Sequence, residues 1–130
     1  MLWSWLASPT GEENTVCTYR KLDPIGRDDA ETTLTSPDAY LVTEAILRLA
    51  LHDPDGRWVT DRALELLRNP DADIRAAAAT ALGHIARIHR TIDTERVIPA
   101  LHHLTNNPAT AGQAQDALDD IAMFTTGNQS

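Results

Sequence analysis

From Ser36 onward the apolar residues recur at helical spacing, and short polar breaks interrupt them at intervals. Val42, Ala45, Ile46, Leu49 and Ala50 occupy the i, i+3, i+4, i+7, i+8 positions that line one face of a helix. Leu41, Leu47 and Leu51 widen this stripe, as expected of a helix covered on two sides. The pattern predicts a first helix from Ser36-Pro37, an N-cap followed by proline at the first helical position, to about Leu51. After His52-Asp53-Pro54-Asp55-Gly56, a second helix is expected over about Arg57–Arg68, with Val59, Ala63, Leu66 and Leu67 inward. Asn69-Pro70-Asp71 breaks the pattern again. A third helix follows from about Asp73 to His89, with Ile74, Ala77, Ala78, Ala81, Leu82, Ile85 and Ile88 on one side. Thr91-Ile92-Asp93 precedes a fourth helix over about Thr94–Thr105, in which Pro99 predicts a kink or a late start. Asn106-Asn107-Pro108 then leads, with Asn107 and Pro108 placed to cap, into a fifth helix that reaches Phe124 through Ala114, Ala117, Leu118 and Ile121.

The two ends read differently. Residues 1–36 carry Thr, Asp, Gly and Pro without helical periodicity, and Asp23-Pro24 and Ile25-Gly26 are turn signals. This stretch is expected to be an irregular arm with room for one short helix or strand, its Trp3, Trp5 and Leu6 docking on the helices. The arm then caps a helical domain at 37–124, and residues 125–130 form a polar tail. Ala and Leu dominate the middle of the chain, and both lose little side-chain freedom in a helix, so composition supports an all-α fold.

Two units resemble one another. A helix, Asn69-Pro70-Asp71 and an Ala-rich helix make the first; a helix, Asn106-Asn107-Pro108 and a second Ala-rich helix make the next. Aligning Asn69-Pro70 with Asn107-Pro108 gives a period of about 38 residues, close to that of helical repeats. Leu66-Leu67-Arg68-Asn69-Pro70-Asp71-Ala72-Asp73-Ile74-Arg75, followed by Ala77-Ala78 and Ala81-Leu82-Gly83-His84-Ile85, resembles the HEAT repeat. It is similar in particular to the short bacterial HEAT-like repeats first noticed in phycobilisome lyases. Asn69 stands where that family usually has Asp, and Gly112-Gln113 replaces the apolar-Arg pair in the second unit. The resemblance covers about residues 38–124. It implies a short right-handed α-solenoid of about two and a half repeats with five main helices, the first helix being the second half of a truncated unit. It also implies that Arg75 stacks between successive repeats and that Leu82 and Gly83 are structural repeat positions. A second resemblance, carried by Leu49-Ala50-Leu51-His52-Asp53-Pro54-Asp55-Gly56-Arg57-Trp58-Val59 and by Gly83 to His89, is to small bacterial HEAT-like proteins that confer immunity to polymorphic toxins.

Charge narrows the partners. Nineteen acidic against eleven basic side chains give a net charge of −8, which repels nucleic acid and suits a basic protein partner. The expectation is one protein partner, with no nucleic acid and no membrane. Cys17 is the sole cysteine, which excludes an internal disulfide and a multi-cysteine zinc site. The apolar start lacks a basic flank and is cut short by Glu12 and Glu13, so no secretory leader is expected. No apolar run approaches the roughly 20 residues of a membrane span, and a cytoplasmic location follows as the expectation.

Catalytic chemistry finds little foothold. His84 and His89 lie about 140° apart around a helix, and His102 and His103 about 100° apart, so neither pair converges on a metal. No Gly-rich phosphate loop occurs, and no histidine is placed by the chain order to activate Cys17. The reading is a binding scaffold without cofactor or catalytic residues, the alternative being a bilin-lyase-like or nucleic-acid-processing enzyme. The inter-helix turns are more informative. Asp53, Asp55, Asp71, Asp73, Asp93 and Glu95 stand just before helices, where carboxylates satisfy free N–H groups and the helix dipole. Aligned along a solenoid, the same turns would make a negative stripe for a basic partner. Asp53, Asp55, Asp71 and Asp73 are therefore the expected partner-binding acids. Trp58 is expected either to pack against the first helix or to act as an aromatic anchor.

Overall fold

The tripeptides that interrupt the apolar pattern share one device. In Ser36-Pro37-Asp38, Asp53-Pro54-Asp55, Asn69-Pro70-Asp71 and Asn107-Pro108-Ala109, the first side chain accepts a hydrogen bond from the backbone N–H two residues on. Proline between them favours an extended residue before it and a turn after it. Where the third residue is Asp, its carboxylate caps the next helix. Asp38 accepts from the Tyr40 N–H, Asp55 from that of Trp58, and Asp71 from those of Asp73 and Ile74. Thr91-Ile92-Asp93 has no proline, and there the Asp93 side chain makes no capping bond. Asn69 thus does with its amide oxygen what an aspartate would do at that position.

In the computed structural model, which describes residues 23–125, these turns separate six helices, and no strand occurs among the described residues. They are α1 (Arg27–Leu34), α2 (Ala39–His52), α3 (Gly56–Leu66), α4 (Ala72–His89), α5 (Thr94–Leu104) and α6 (Ala111–Thr125). The fold is all-helical, as expected, but with six helices where five were expected. The addition is α1, a short helix for which the irregular arm left room but which no apolar period located. Its eight residues bury only Ala30, too few apolar positions to register as a period. It is held instead by Asp28 and Asp29 in its first turn and by the packing of Ile25, Ala30 and Leu34 against the core. The expected docking of Trp3, Trp5 and Leu6 lies outside the described residues, as does Cys17.

α1 packs on α2, α3 on α4 and α5 on α6, while α2, α4 and α6 pack side by side with α4 in the middle. The core follows this central helix. Ala78, Ala79, Ala81, Leu82 and Ala86 are wholly buried on it, with Ile46 and Leu49 from α2, Val59 and Ala63 from α3, and Ala114 and Ala117 from α6. Small side chains let the helices come close. Gly83 marks a close approach of α4 and α6: a Cβ there would lie 3.2 Å from the Ala117 Cα and 3.0 Å from an Asp120 carboxylate oxygen.

Three further expectations need correction. The cap of α2 is Asp38 and not Ser36, because the Ser36 hydroxyl is occupied by the Asp38 N–H. Ile88 is 45 % exposed and Leu41 40 % exposed, whereas Ala79 and Ala86 are buried on the opposite side of α4. A helix packed against three neighbours buries more than one stripe. α5 starts at Thr94 with no delay, and Pro99 lies inside it, leaving the Glu95 carbonyl without its helical donor. Arg75 donates to the Asn69 and Pro70 carbonyls of its own unit, at 2.8 and 3.0 Å, so its guanidinium ties down the preceding turn. Arg48 on α2 does the same for the Asp23 and Pro24 carbonyls.

Candidate partner-binding surfaces

The five residues expected at an interface fall into two groups at opposite ends of α3. Asp53, Asp55 and Trp58 belong to the α2–α3 turn, whereas Asp71 and Asp73 belong to the α3–α4 turn. A helix of this length separates its ends by about 16 Å at 1.5 Å per residue. The single acidic stripe therefore divides in two.

The first group is closed on itself. The Arg27 guanidinium of α1 lies over the Trp58 ring, 4.4 Å from its centroid. The same group reaches Asp53 at 3.3 Å and Asp55 at 3.1 Å. The Trp58 N–H and then Arg27 hold the Asp55 carboxyl below its usual range, and both carboxylates raise Arg27. Trp58 is partly buried and packs against the core. Its partner is thus Arg27, a residue in the arm that the sequence reading did not single out. Farther along, Arg96 joins Asp61 of α3, at 2.6 Å, to Asp93 at 2.7 Å. Asp93 is held low chiefly by that arginine.

The second group is open. Asp71 serves as the α4 cap, and Asp73 is exposed one residue into the helix. Neither forms an ion pair with an arginine among the described residues, and the same holds for Asp38 at the start of α2. Beside them runs a groove of about 430 Å³, whose walls include Tyr40, Leu47, Asp73, Ala76, Thr80 and Gln113 from α2, α4 and α6. Two other depressions exist. One, of about 640 Å³, lies between α3 and α5 and includes Leu64, Leu67, Arg68 and Leu104; the other, of about 350 Å³, lies at Gly56, Arg57, His89 and Arg96.

The histidines are dispersed. His89 packs its ring on Gly56, 3.0 Å from where a Cβ would stand. His102 and His103 are exposed. No set of three His, Cys, Asp or Glu converges on a metal position among the described residues. His84 is the one with a defined environment. Arg87 Nη2 lies 2.7 Å from its Nδ1, and since guanidinium can only donate, Nδ1 accepts and the proton sits on Nε2. Burial, and after it Arg87, lowers the His84 pKa. The unfolded chain therefore holds more protons than the folded one as the pH falls through 6.5, the ordinary histidine value, toward the lower folded value. Stability is full above that window and declines within it. His84→Gln should flatten the loss of melting temperature between neutral and mildly acidic buffer; an unchanged slope would assign it to other groups.

No helix among the described residues is long and apolar enough to cross a membrane. No protein-family model matches the chain, and no curated protein matches it. Among solved structures it is similar to a chain in the crystal structure of a CDI complex from Cupriavidus taiwanensis LMG 19424. The two are 28 % identical with a TM-score of 0.70, over 78 % of this chain and 91 % of that one.

Proposed function

We propose that this protein is an immunity protein, a binder and not an enzyme, that neutralises the toxin of a contact-dependent inhibition (CDI) system by occupying it in the cytoplasm. The observation that carries this reading is the similarity to a chain of a CDI complex, at 28 % identity over nearly all of that chain. The net charge of −8 supports a basic toxin, since opposite potentials steer encounter and exclude wrong partners. The packing order of the helices supports a HEAT-like stack of helical pairs, in which α1 would complete the first pair. Asp71 and Asp73 remain assigned to the partner. Asp53, Asp55 and Trp58 are assigned to the clasp that holds α1, because Arg27 already satisfies all three.

The test is to express the product of the neighbouring upstream gene as a toxin candidate, with and without this protein. Co-expression should rescue growth, and the purified pair should associate at a rate that falls with added salt. Joint reversal of Asp71 and Asp73 to Lys should slow association about tenfold while leaving dissociation little changed. Failure to bind any such product, or binding with no salt dependence, sinks the reading of a basic toxin partner.

A further inference from the structure

Resting on that reading, we infer how the toxin is held in register. It presents a segment with two carboxylates, and apolar residues between them, to the furrow between α3 and α5, where the carboxylates meet Arg57 and Arg68.

The furrow follows from the packing. α2, α4 and α6 lie side by side, whereas α3 and α5 pack mainly on α4 and α6 behind them. The Asp61–Arg96 ion pair, at 2.6 Å, crosses the gap. To either side of it lie the depressions of about 350 and 640 Å³, and Arg96 stands in the walls of both.

Charge singles out two residues of those walls. Among the described arginines, Arg27, Arg62, Arg87 and Arg96 pair with carboxylates, Arg48 and Arg75 hold turn carbonyls, and Arg90 covers the Phe124 ring. Arg57 and Arg68 alone have exposed side chains without an ion pair, a hydrogen bond or a ring contact. Arg57 lies in the wall of the smaller depression and Arg68 in that of the larger. The carboxylates in the same walls, Asp61, Glu65 and Asp93, are each paired with Arg96 or Arg62. Other acids close in the sequence are committed elsewhere: Asp55 to Arg27 and the start of α3, and Asp71 to the start of α4. On a chain of net charge −8, the furrow therefore offers unmatched cations and no unmatched acid.

Spacing specifies the segment. Arg57 stands at the start of α3, and Arg68 in the turn that continues it, its N–H donating to the Glu65 carbonyl. From 57 to 68 is about three helical turns, so both stand on one side, about 16 Å apart. An extended chain covers that distance in about five residues. Leu64, Leu67, Ala100 and Leu104 line the larger depression and suit apolar side chains between two acids. The planar guanidinium fork matches a carboxylate. A nucleic acid, with phosphate at every step, would also meet Asp61, Glu65 and Asp93, whereas a polypeptide can place its acids at the two ends only. Basic parts of the toxin are repelled here and attracted elsewhere on the protein, which fixes the docking orientation.

Two measurements decide the matter. In the first, isotope-labelled protein is titrated at low salt with a blocked peptide carrying Glu at both ends of such a span and Leu and Val between. The same peptide with Lys at both ends, and a short oligothymidylate, are the comparisons. Arginine Nε–H signals of Arg57 and Arg68 and the Leu64 and Ala100 amides should shift with the glutamate peptide and not with the lysine peptide. Shifts elsewhere, no shifts, or an equal response to oligothymidylate overturn the assignment. In the second, Arg57→Gln with Arg68→Gln is compared with Thr32→Glu with Ala122→Glu, which makes the same change of net charge at exposed positions on α1 and α6. With circular dichroism and melting temperature unchanged, the arginine variant should bind the upstream toxin candidate at least about tenfold more weakly. The control should stay within about twofold of wild type. An equal loss in both, or none in either, overturns the furrow while leaving the immunity reading intact. A wild type that binds no toxin removes the immunity reading, and the peptide titration then decides the furrow alone.

Discussion

Leu82→Asp leaves no folded protein at 25 °C: far-UV circular dichroism of the variant should show loss of helix and no cooperative melt. Leu82 is wholly buried on α4, the helix enclosed by α2, α3 and α6. The core cluster to which it belongs is apolar. The buried polar residues among those described are Thr60, Thr110 and Thr125, and each hydroxyl already donates to a nearby backbone carbonyl. An unpaired charge in such a place costs at least several kcal/mol, against a total stability of about 5–15 kcal/mol. Leu82→Ala separates charge from volume. It should remain folded while losing about 2–5 kcal/mol, because alanine leaves a cavity but buries nothing polar. A Leu82→Asp protein as stable as the wild type would show that α4 is not the centre of the core.

Where the sequence was informative, one physical signal dominated. Apolar spacing located α2 to α6 because each buries a face long enough to repeat. It missed α1, which buries a single alanine and depends on contacts with residues far along the chain: Arg27 with Asp53, and Glu31 with Arg62. Periodicity within a segment carries no trace of such contacts. The turn chemistry was partly legible. Asp55 and Asp71 cap helices as carboxylates in those positions should. The recurring Ser/Asp/Asn-Pro-Asp pattern, present at Ser36, Asp53 and Asn69, was the available sign that Asp38 also caps one.

The candidate surface was less legible, for a geometric reason. Acidic residues before successive helices look like one series in the sequence, but successive turns of a helical hairpin lie at opposite ends. Asp53 and Asp55 are therefore separated from Asp71 and Asp73 by the length of α3. Ion pairing then distinguishes the two ends, since Arg27 pairs with the acids of one, whereas at the other Arg75 binds the turn carbonyls and forms no ion pair with Asp71 or Asp73. Net charge describes the whole chain. The distribution of arginine decides which part of it presents a field.

Deleting residues 1–36 should lower the melting temperature by about 10 °C or more, relative to a reference lacking only residues 1–22. The difference isolates α1 and its approach. Ala30 is fully buried, and Ile25 and Leu34 pack against the core, so their removal returns the covered side of α2 to water. Burial of this kind contributes about 3 kcal/mol for two partly buried aliphatic side chains and an alanine. Charged contacts go with it. Arg48 loses the Asp23 and Pro24 carbonyls, and Asp53, whose side chain is only 8 % exposed, loses Arg27. Trp58 loses the guanidinium that covers its ring. Exposed apolar surface at the end of a helical stack also invites association, so light scattering should rise with concentration. Two substitutions divide the effect in the full-length chain. Ala30→Arg has no space at the α1–α2 contact and should reproduce most of the loss, whereas Arg27→Ala removes only the clasp and should reproduce a small part of it. If the deletion is soluble, monomeric and as stable as the reference, and Ala30→Arg melts like wild type, then residues 23–36 are an appendage and the α2 face needs no cap.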